Sequence, residues 1–142
     1  MLAISRLFEL HTLLAAMLGS CLQSQLKGAV ILVVEDEPLI ALDISSSLED
    51  AGAKVLKAAT VKSALAAIDA HNCSAAVVDF WLGFDSGRAV ARRLKQKAIP
   101  FLYYSGRARD DFTTGSTAPV VSKPAGGPEI VGMLRLLIDG KG

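Results

Sequence analysis

The chain has 142 residues, of which 51% are hydrophobic and 20% charged, and this composition predicts one soluble globular domain rather than two. Its 15 Lys and Arg residues against 14 Asp and Glu residues leave a net charge of +1 with no basic block, which argues against nucleic acid as a partner. Cys21 and Cys73 lie too far apart for a CxxC metal pair and suggest no disulfide framework, so we expect a cytoplasmic protein.

The first predicted element is an amphipathic helix within an N-terminal extension over residues 1–27. Apolar residues recur there at alternating spacings of three and four, namely Leu7, Leu10, Leu14, Met17 and Cys21. The stripe covers roughly two heptads, which is short for a coiled coil but enough to pack on the domain or on a second copy of the chain. The extension is therefore a candidate surface for a homodimer.

Two alternatives remain for this extension. The first alternative is an export signal, because segment 18–21 loosely resembles a lipoprotein cleavage box. However, Glu9 and His11 interrupt the apolar stretch before it, and that stretch is too short to span a bilayer. We therefore predict no membrane association. In the second alternative, translation starts at Met17 and the residues before it are absent from the protein.

Strand-like and helix-like segments alternate through the predicted domain, residues 28–142. In chain order, the predictions are a strand over 29–34, a helix over 38–51 with Pro38 in its first turn, a strand over 54–58, a helix that is capped by Thr60 and ends near Ala70, a strand over 75–79, a loop over 83–87, a helix over 86–96, strands over 99–104 and 119–122, and a helix over 128–139. This alternation predicts an α/β fold, a doubly wound five-stranded parallel sheet in the order 2-1-3-4-5 with flanking helices.

Segment 106–118, between the last two predicted strands, departs from this pattern. It is rich in Thr, Ser and Gly, which form turns and offer little apolar surface. We therefore expect a short stub of helix or a mobile loop there instead of a packed fourth helix.

Acidic residues end two of the predicted strands. Glu35 and Asp36 follow the first apolar run, and Asp79 follows the third. Because parallel strands open their carboxyl ends onto one edge of the sheet, we expect these three carboxylates to lie close together. Crowded carboxylates repel one another unless a hard cation neutralises them, and oxygen ligands suit Mg²⁺. The sequence therefore predicts a magnesium site at this edge.

A hydroxyl and an ammonium are predicted at the same edge. Ser105 ends the fourth strand and Lys123 ends the fifth, where Lys123 precedes Pro124 in a candidate cis peptide bond. An aspartate beside a cation, a lysine and a hydroxyl has the means to attack a phosphoryl group, because the positive charges offset those of the transferring oxygens. Asp79 is the best candidate nucleophile, since its strand is central in the predicted sheet.

These residues resemble the receiver domains of two-component response regulators over roughly residues 29–137. The matching motifs are Val33-Val34-Glu35-Asp36-Glu37-Pro38, Val77-Val78-Asp79 with Gly87 eight residues later, Ser105-Gly106, and Ser122-Lys123-Pro124. The resemblance implies that Asp79 takes a phosphoryl group from a phosphohistidine on a sensor histidine kinase or phosphotransfer protein, with weak autophosphatase activity afterwards.

The resemblance also assigns roles to the other residues of the edge. It implies that Glu35 and Asp36 hold Mg²⁺ together with Asp79 and the backbone carbonyl of Trp81. It further implies that Ser105 and Lys123 bind the phosphoryl oxygens. Because few residues follow the last predicted helix, we expect a stand-alone receiver that signals to an unknown downstream protein by direct contact.

Two departures from the family pattern concern the signalling step. Leu82-Gly83 replaces the usual Met-Pro, and Val120 occupies the position that often holds a switch aromatic. The stretch over 100–106 is similar to the Pro-Phe-x-Phe-Ala-Thr-Gly segment of a subgroup whose fourth helix is short or disordered. We hypothesise that phosphorylation orders segment 106–118. Equal amide hydrogen exchange with and without a phosphoryl mimic would contradict this hypothesis.

Two other functional classes are compatible with parts of the pattern. A degenerate receiver would bind a protein partner without phosphorylation, as the missing switch aromatic allows. A haloacid-dehalogenase-type phosphatase also uses Asp, Ser or Thr, Lys and Mg²⁺, but its nucleophile lies on the first strand in a D-x-D motif. Here that place reads Glu35-Asp36-Glu37, which disfavours the phosphatase.

Overall fold

The computed structural model describes residues 6–7, 9–14, 24–106 and 117–141. The strands are β1 (Val30–Val34), β2 (Lys54–Ala58), β3 (Ala75–Val78), β4 (Trp81–Leu82), β5 (Asp85–Ser86), β6 (Phe101–Ser105) and β7 (Val120–Ser122). The helices with defined bounds are α1 (Pro38–Asp50), α2 (Val61–Ala70), α3 (Arg88–Gln96) and α4 (Gly127–Gly140).

Five strands form one parallel sheet in the order β2-β1-β3-β6-β7. Counted without the short strands β4 and β5, this is the predicted order 2-1-3-4-5, which is confirmed. The strand β3 lies in the middle of the sheet, so the residue that follows it reaches the centre of the carboxyl edge.

Apolar side chains cover both faces of the sheet. Because successive side chains of a strand point to opposite faces, Ile31 and Val33 pack with α1 and α4, whereas Leu32 and Val34 pack with α2 and α3. Both clusters are built mainly from residues with less than a tenth of their surface exposed. This two-sided burial explains why the strands read as continuous apolar runs rather than as alternating ones.

The starts of two helices agree with the sequence. Pro38 occupies the first turn of α1. Thr60 caps α2 by accepting a hydrogen bond from the Ser63 backbone N–H at 3.1 Å, and the Ser63 hydroxyl in turn accepts from the Thr60 N–H at 3.1 Å. This reciprocal pair is a capping box with serine in the place usually held by Glu or Gln.

The segment after β3 differs from its prediction. The predicted loop over 83–87 contributes to a hairpin, in which β4 pairs with β5 in antiparallel fashion. The helix predicted from residue 86 begins instead at Arg88. Its start is delayed because the Gly87 backbone N–H donates to the Phe80 carbonyl at 2.6 Å and so closes the hairpin segment.

The N-terminal extension is helical where the structure describes it, at residues 6–7 and 9–14, as predicted. The described leucines of its stripe are mostly exposed, because the exposed fractions of Leu7, Leu10 and Leu14 are 67%, 56% and 57%. Met17, Cys21 and residues 107–116 lie outside the described part of the chain, so the predictions for the rest of the stripe and for the fourth helix stay predictions. Among the described residues, no helix is long and apolar enough to cross a membrane.

Candidate phosphoacceptor site

Backbone hydrogen bonds extend the sheet by one residue at three of its strands and thereby place the site residues. The Glu35 N–H donates to the Ala58 carbonyl at 3.0 Å, and the Asp79 N–H donates to the Val34 carbonyl at 2.8 Å. The Lys123 N–H donates to the Ser105 carbonyl at 2.8 Å, so Lys123 lies at the same edge as the acids.

The three predicted acids come together as expected. Glu35, Asp36 and Asp79 each offer a carboxylate oxygen, and these oxygens all lie within 4.8 Å of one another. The Lys123 Nζ donates to Glu35 Oε2 at 2.9 Å and to Asp79 Oδ2 at 3.1 Å. One ammonium therefore bridges two carboxylates that are supplied by different strand ends.

Burial changes the protonation behaviour of this bridge. Glu35 is 4% exposed and Asp79 is 8% exposed, whereas Asp36 is exposed to solvent. Desolvation raises the pKa of Glu35 to about 7, against the lowering effect of the Lys123 hydrogen bond. Burial disfavours the Lys123 ammonium, but its hydrogen bonds and attraction to Glu35 and Asp79 outweigh that cost, so the pKa of Lys123 is raised.

Backbone N–H groups orient the carboxylates further. Gly83 donates to Asp36 Oδ2 at 2.9 Å, which ties the β4–β5 hairpin to the end of β1. Trp81 donates to Asp79 Oδ1 at 3.2 Å. Glu37 donates to Glu35 Oε1 at 3.3 Å. In each of the three acids, one carboxylate oxygen is therefore held in place by a backbone N–H group.

The donor set fits Mg²⁺. Oxygen ligands of an octahedral Mg²⁺ ion lie at about 2.0–2.1 Å from the metal, so they are roughly 3 Å apart when adjacent and roughly 4 Å apart when opposite. The three carboxylate oxygens, within 4.8 Å of one another, need only small shifts to reach such spacings. The Trp81 N–H contact places that residue's backbone beside Asp79, and the metal role of its carbonyl stays a prediction.

Ser105 and Lys123 share a cleft with Asp79. The cleft has a volume of about 540 Å³, and Trp81, Gly83, Phe84 and Gly106 also line it. Ser105 is almost fully buried, whereas Phe84 at the hairpin tip is fully exposed. All five predicted side chains of the edge thus converge on one place.

Three features of the site were not predicted from the sequence. The Tyr104 ring lies 5.2 Å from Lys123 Nζ, and the Tyr104 hydroxyl accepts a hydrogen bond from the Ala125 N–H at 3.1 Å. A side chain at Gly87 would place its Cβ 2.8 Å from the Asp79 carbonyl oxygen, so glycine is required there. The spacing of eight residues between Asp79 and Gly87 was the available signal for this contact.

The Lys123–Pro124 peptide bond is cis, as predicted.

A comparison with protein families matches residues 31–135 to the response regulator receiver domain. The chain belongs to this family. Receiver domains of response regulators are the phosphoacceptors of two-component signalling, bind Mg²⁺ in their active sites and interact with histidine kinases or phosphotransfer proteins. The resemblance inferred from the motifs is confirmed, while the subgroup with a short fourth helix stays a prediction.

Solved receiver structures share the fold of this receiver. A response regulator receiver protein from Sinorhizobium medicae WSM419 superposes with a TM-score of 0.74 at 22% identity, over 80% of this chain and 97% of that one. The receiver domain of the sensor histidine kinase PA1611 from Pseudomonas aeruginosa PAO1, which has a magnesium ion coordinated in its active-site cleft, gives 0.71 at 21% identity over 79% and 98% of the two chains.

A longer relative by structure is the response regulator PhyR from Brucella abortus. It gives a TM-score of 0.74 at 24% identity, over 89% of this receiver and 54% of that chain. At such identities the likeness establishes the fold alone. A search of curated proteins found no match.

Proposed function

We propose that Asp79 is the phosphoacceptor of this receiver and that Glu35, Asp36, Asp79 and the Trp81 carbonyl hold Mg²⁺. The observation that carries the proposal is the bridge from Lys123 Nζ to Glu35 and Asp79, at 2.9 and 3.1 Å, with Asp36 beside it. A purely structural ion pair has no need of a third, exposed carboxylate within reach of the other two.

The chemistry of the proposed step follows from the residues. An Asp79 carboxylate oxygen attacks the phosphorus of a phosphohistidine, an O–P bond forms, and the P–N bond breaks with its electron pair going to the imidazole nitrogen. When bound, Mg²⁺ would supply positive charge to the transferring oxygens. The Lys123 ammonium adds a second positive charge there, and the Ser105 hydroxyl donates a hydrogen bond to a phosphoryl oxygen.

The proposed partners follow from this chemistry. The phosphodonor is a sensor histidine kinase or a phosphotransfer protein, because each carries the phosphohistidine that the step consumes. The phosphorylated receiver would then signal through contacts of its surface with a downstream protein.

Trp81 provides a direct test, because it is the single tryptophan of the chain and lines the acceptor cleft. We expect its fluorescence to change on addition of Mg²⁺ and again on addition of beryllofluoride, a phosphoryl mimic. Asp79→Asn should abolish the beryllofluoride response. Asp36→Asn should weaken Mg²⁺ binding by about tenfold or more, because it removes one charged ligand. Asp43→Asn is a matched control, since this exposed acid of α1 lies outside the cluster.

The same titration separates the alternatives. A wild-type protein that responds to Mg²⁺ but is not labelled at Asp79 by acetyl phosphate would be a degenerate receiver that binds partners without phosphorylation. A wild-type protein that responds to neither Mg²⁺ nor beryllofluoride would contradict the proposed function.

A further inference from the structure

Tyr104 contacts both the site lysine and the segment that follows it. Tyr104 precedes Ser105 on β6, and its side chain is buried, at 5% exposure, on the face of the sheet that packs against α1 and α4. Its ring centroid lies 5.2 Å from Lys123 Nζ. Its hydroxyl accepts a hydrogen bond from the Ala125 N–H at 3.1 Å.

These two contacts hold both ends of the three-residue stretch from Lys123 to Ala125. The ring faces the Lys123 ammonium, and an ammonium within about 6 Å of a ring centroid is attracted by the negative face of the ring. The same ammonium is held by Glu35 and Asp79. The hydroxyl holds Ala125, two residues before the start of α4. A movement of the lysine therefore affects the tyrosine whose hydroxyl accepts the hydrogen bond just before α4.

The family resemblance does not account for this tyrosine. The similar subgroup motif has alanine at the position of Tyr104. Val120, at the position that often holds a switch aromatic, is a half-buried aliphatic residue on the neighbouring strand β7. In this chain, then, an aromatic contact to the site lysine comes from β6.

We propose that Tyr104 is a positioning residue that holds the Lys123 ammonium at the acceptor cleft and couples its location, through Ala125, to the start of α4. The inference rests on the proposed phosphoacceptor function. When a phosphoryl group on Asp79 draws the ammonium toward its oxygens, the tyrosine ring follows the ammonium and keeps its contact, and the hydrogen bond to Ala125 changes with the shift of the ring.

The test compares substitutions at two adjacent tyrosines. Tyr104→Leu removes the ring and the hydroxyl, whereas Tyr104→Phe removes only the hydroxyl. Tyr103→Leu and Tyr103→Phe are matched controls, because Tyr103 is equally buried but packs on the opposite face with Phe80 and Phe101. Three quantities are measured at saturating Mg²⁺: the beryllofluoride midpoint from Trp81 fluorescence, the hydrogen-exchange rate of the Ala125 amide, and the shift of the Ala125 amide resonance that beryllofluoride induces.

We expect Tyr104→Leu to raise the beryllofluoride midpoint by about 2- to 30-fold relative to Tyr103→Leu, because the ammonium is no longer held where the mimic binds it. This is the range of a cation–π contact from exposed to desolvated sites. Tyr104→Phe should recover most of that loss, because it keeps the ring. In Tyr104→Phe the Ala125 amide should exchange faster than in the wild type, and its beryllofluoride-induced shift should fall by about half or more. A side chain that only fills the core would not change this shift while the mimic stays bound.

Three outcomes would overturn the proposal. One is equal midpoints for Tyr104→Leu and Tyr103→Leu. Another is an Ala125 shift that is the same in Tyr104→Phe and the wild type, and this comparison decides the matter alone if the leucine variant does not fold. The third is a wild type without any Asp79-dependent response to beryllofluoride, which overturns the phosphoacceptor function and this inference together. The first two leave the phosphoacceptor function intact.

Discussion

Lys123 is the side chain on which the charge balance of the site depends. Three carboxylates cluster there, the ammonium pairs with two of them, and those two acids are buried. Glu35 reflects the crowding, because desolvation and the nearby Asp79 carboxylate help to raise its pKa to about 7. The excess of negative charge favours a divalent cation, and the lysine would compete for the same oxygens with a cation held by Glu35 and Asp79.

Replacement of the lysine should therefore change the affinity for Mg²⁺ and the affinity for beryllofluoride in opposite directions. We expect Lys123→Met to tighten Mg²⁺ binding by about tenfold, because it removes a positive charge roughly 5 Å from a divalent ion in a water-like dielectric. The same variant should weaken beryllofluoride binding by about tenfold or more, since it removes the ammonium that is proposed to bind the mimic. Both are measured by titration of Trp81 fluorescence.

Lys97→Met is the control for this experiment. Lys97 pairs with Asp69 at 3.4 Å on the surface, so its replacement changes the net charge equally without touching the acidic cluster. Unchanged Mg²⁺ affinity in Lys123→Met, or an equal gain in Lys97→Met, would contradict the competition between lysine and metal.

The helices α1 and α4 pack closely where both contribute small residues. A Cβ on Gly127 would lie 2.1 Å from Ser47 Oγ and 2.5 Å from Ser47 Cβ. Rotation of the serine would relieve the first clash but not the second, because the Cβ position is set by the backbone. The approach of the two helices thus depends on glycine at the start of α4.

A pair of glycine substitutions in α4 tests this packing. We expect Gly127→Ala to lower the free energy of unfolding by about 1–3 kcal/mol through overpacking. Gly132→Ala should raise it by about 0.4–1 kcal/mol, because nothing lies within 4 Å of the added methyl group and alanine has the better helix propensity. Urea denaturation measures both, and equal effects of the two substitutions would contradict the contact between helices.

The β4–β5 hairpin could not be predicted from hydrophobic periodicity. Its two residues per strand are too few for a periodicity, yet Gly83 has a φ of +62°, as the first central residue of a type II′ turn requires. The Gly83 to Asp36 hydrogen bond makes the hairpin part of the site. In the sequence, the signal for this turn was Gly83 at the first of the two turn positions.

In the molecule as a whole, the described chain joins the core before the predicted domain start. Leu26 is buried and its N–H donates to the Ala51 carbonyl at 2.8 Å, while Arg135 of α4 donates to the Gln25 carbonyl at 2.9 Å. The division of the chain into residues 1–27 and 28–142 stays a prediction. The described leucines of the extension, by contrast, are exposed and do not belong to the buried core of the domain.

A chain that starts at Met17 should therefore fold as stably as the full chain. We expect the free energies of unfolding to agree within about 0.5 kcal/mol, because the described leucines that are removed are exposed. Leu26→Ala is the control and should cost about 2–5 kcal/mol, as for other buried leucines. A loss above about 1 kcal/mol on truncation would show that the extension packs on the domain. A change from dimer to monomer in light scattering would show instead that it pairs two copies.

Local sequence is enough to place most elements of this receiver and the acids of its site. Strand β2 and helix α2 follow from short-range patterns, because an apolar run or a cap acts within a few residues. The convergence of Glu35, Asp36 and Asp79 then follows from the geometry of a parallel sheet, in which all carboxyl ends share an edge.

Other features arise only when distant parts of the chain pack together. The Lys123 to Glu35 hydrogen bond joins residues 88 apart, and the Gly83 to Asp36 bond joins residues 47 apart. The contact of Tyr104 with Lys123 and the fit of Gly127 against Ser47 are likewise distances between neighbouring elements. No local pattern encodes such distances, because they depend on how side chains from separate strands and helices fill one shared volume.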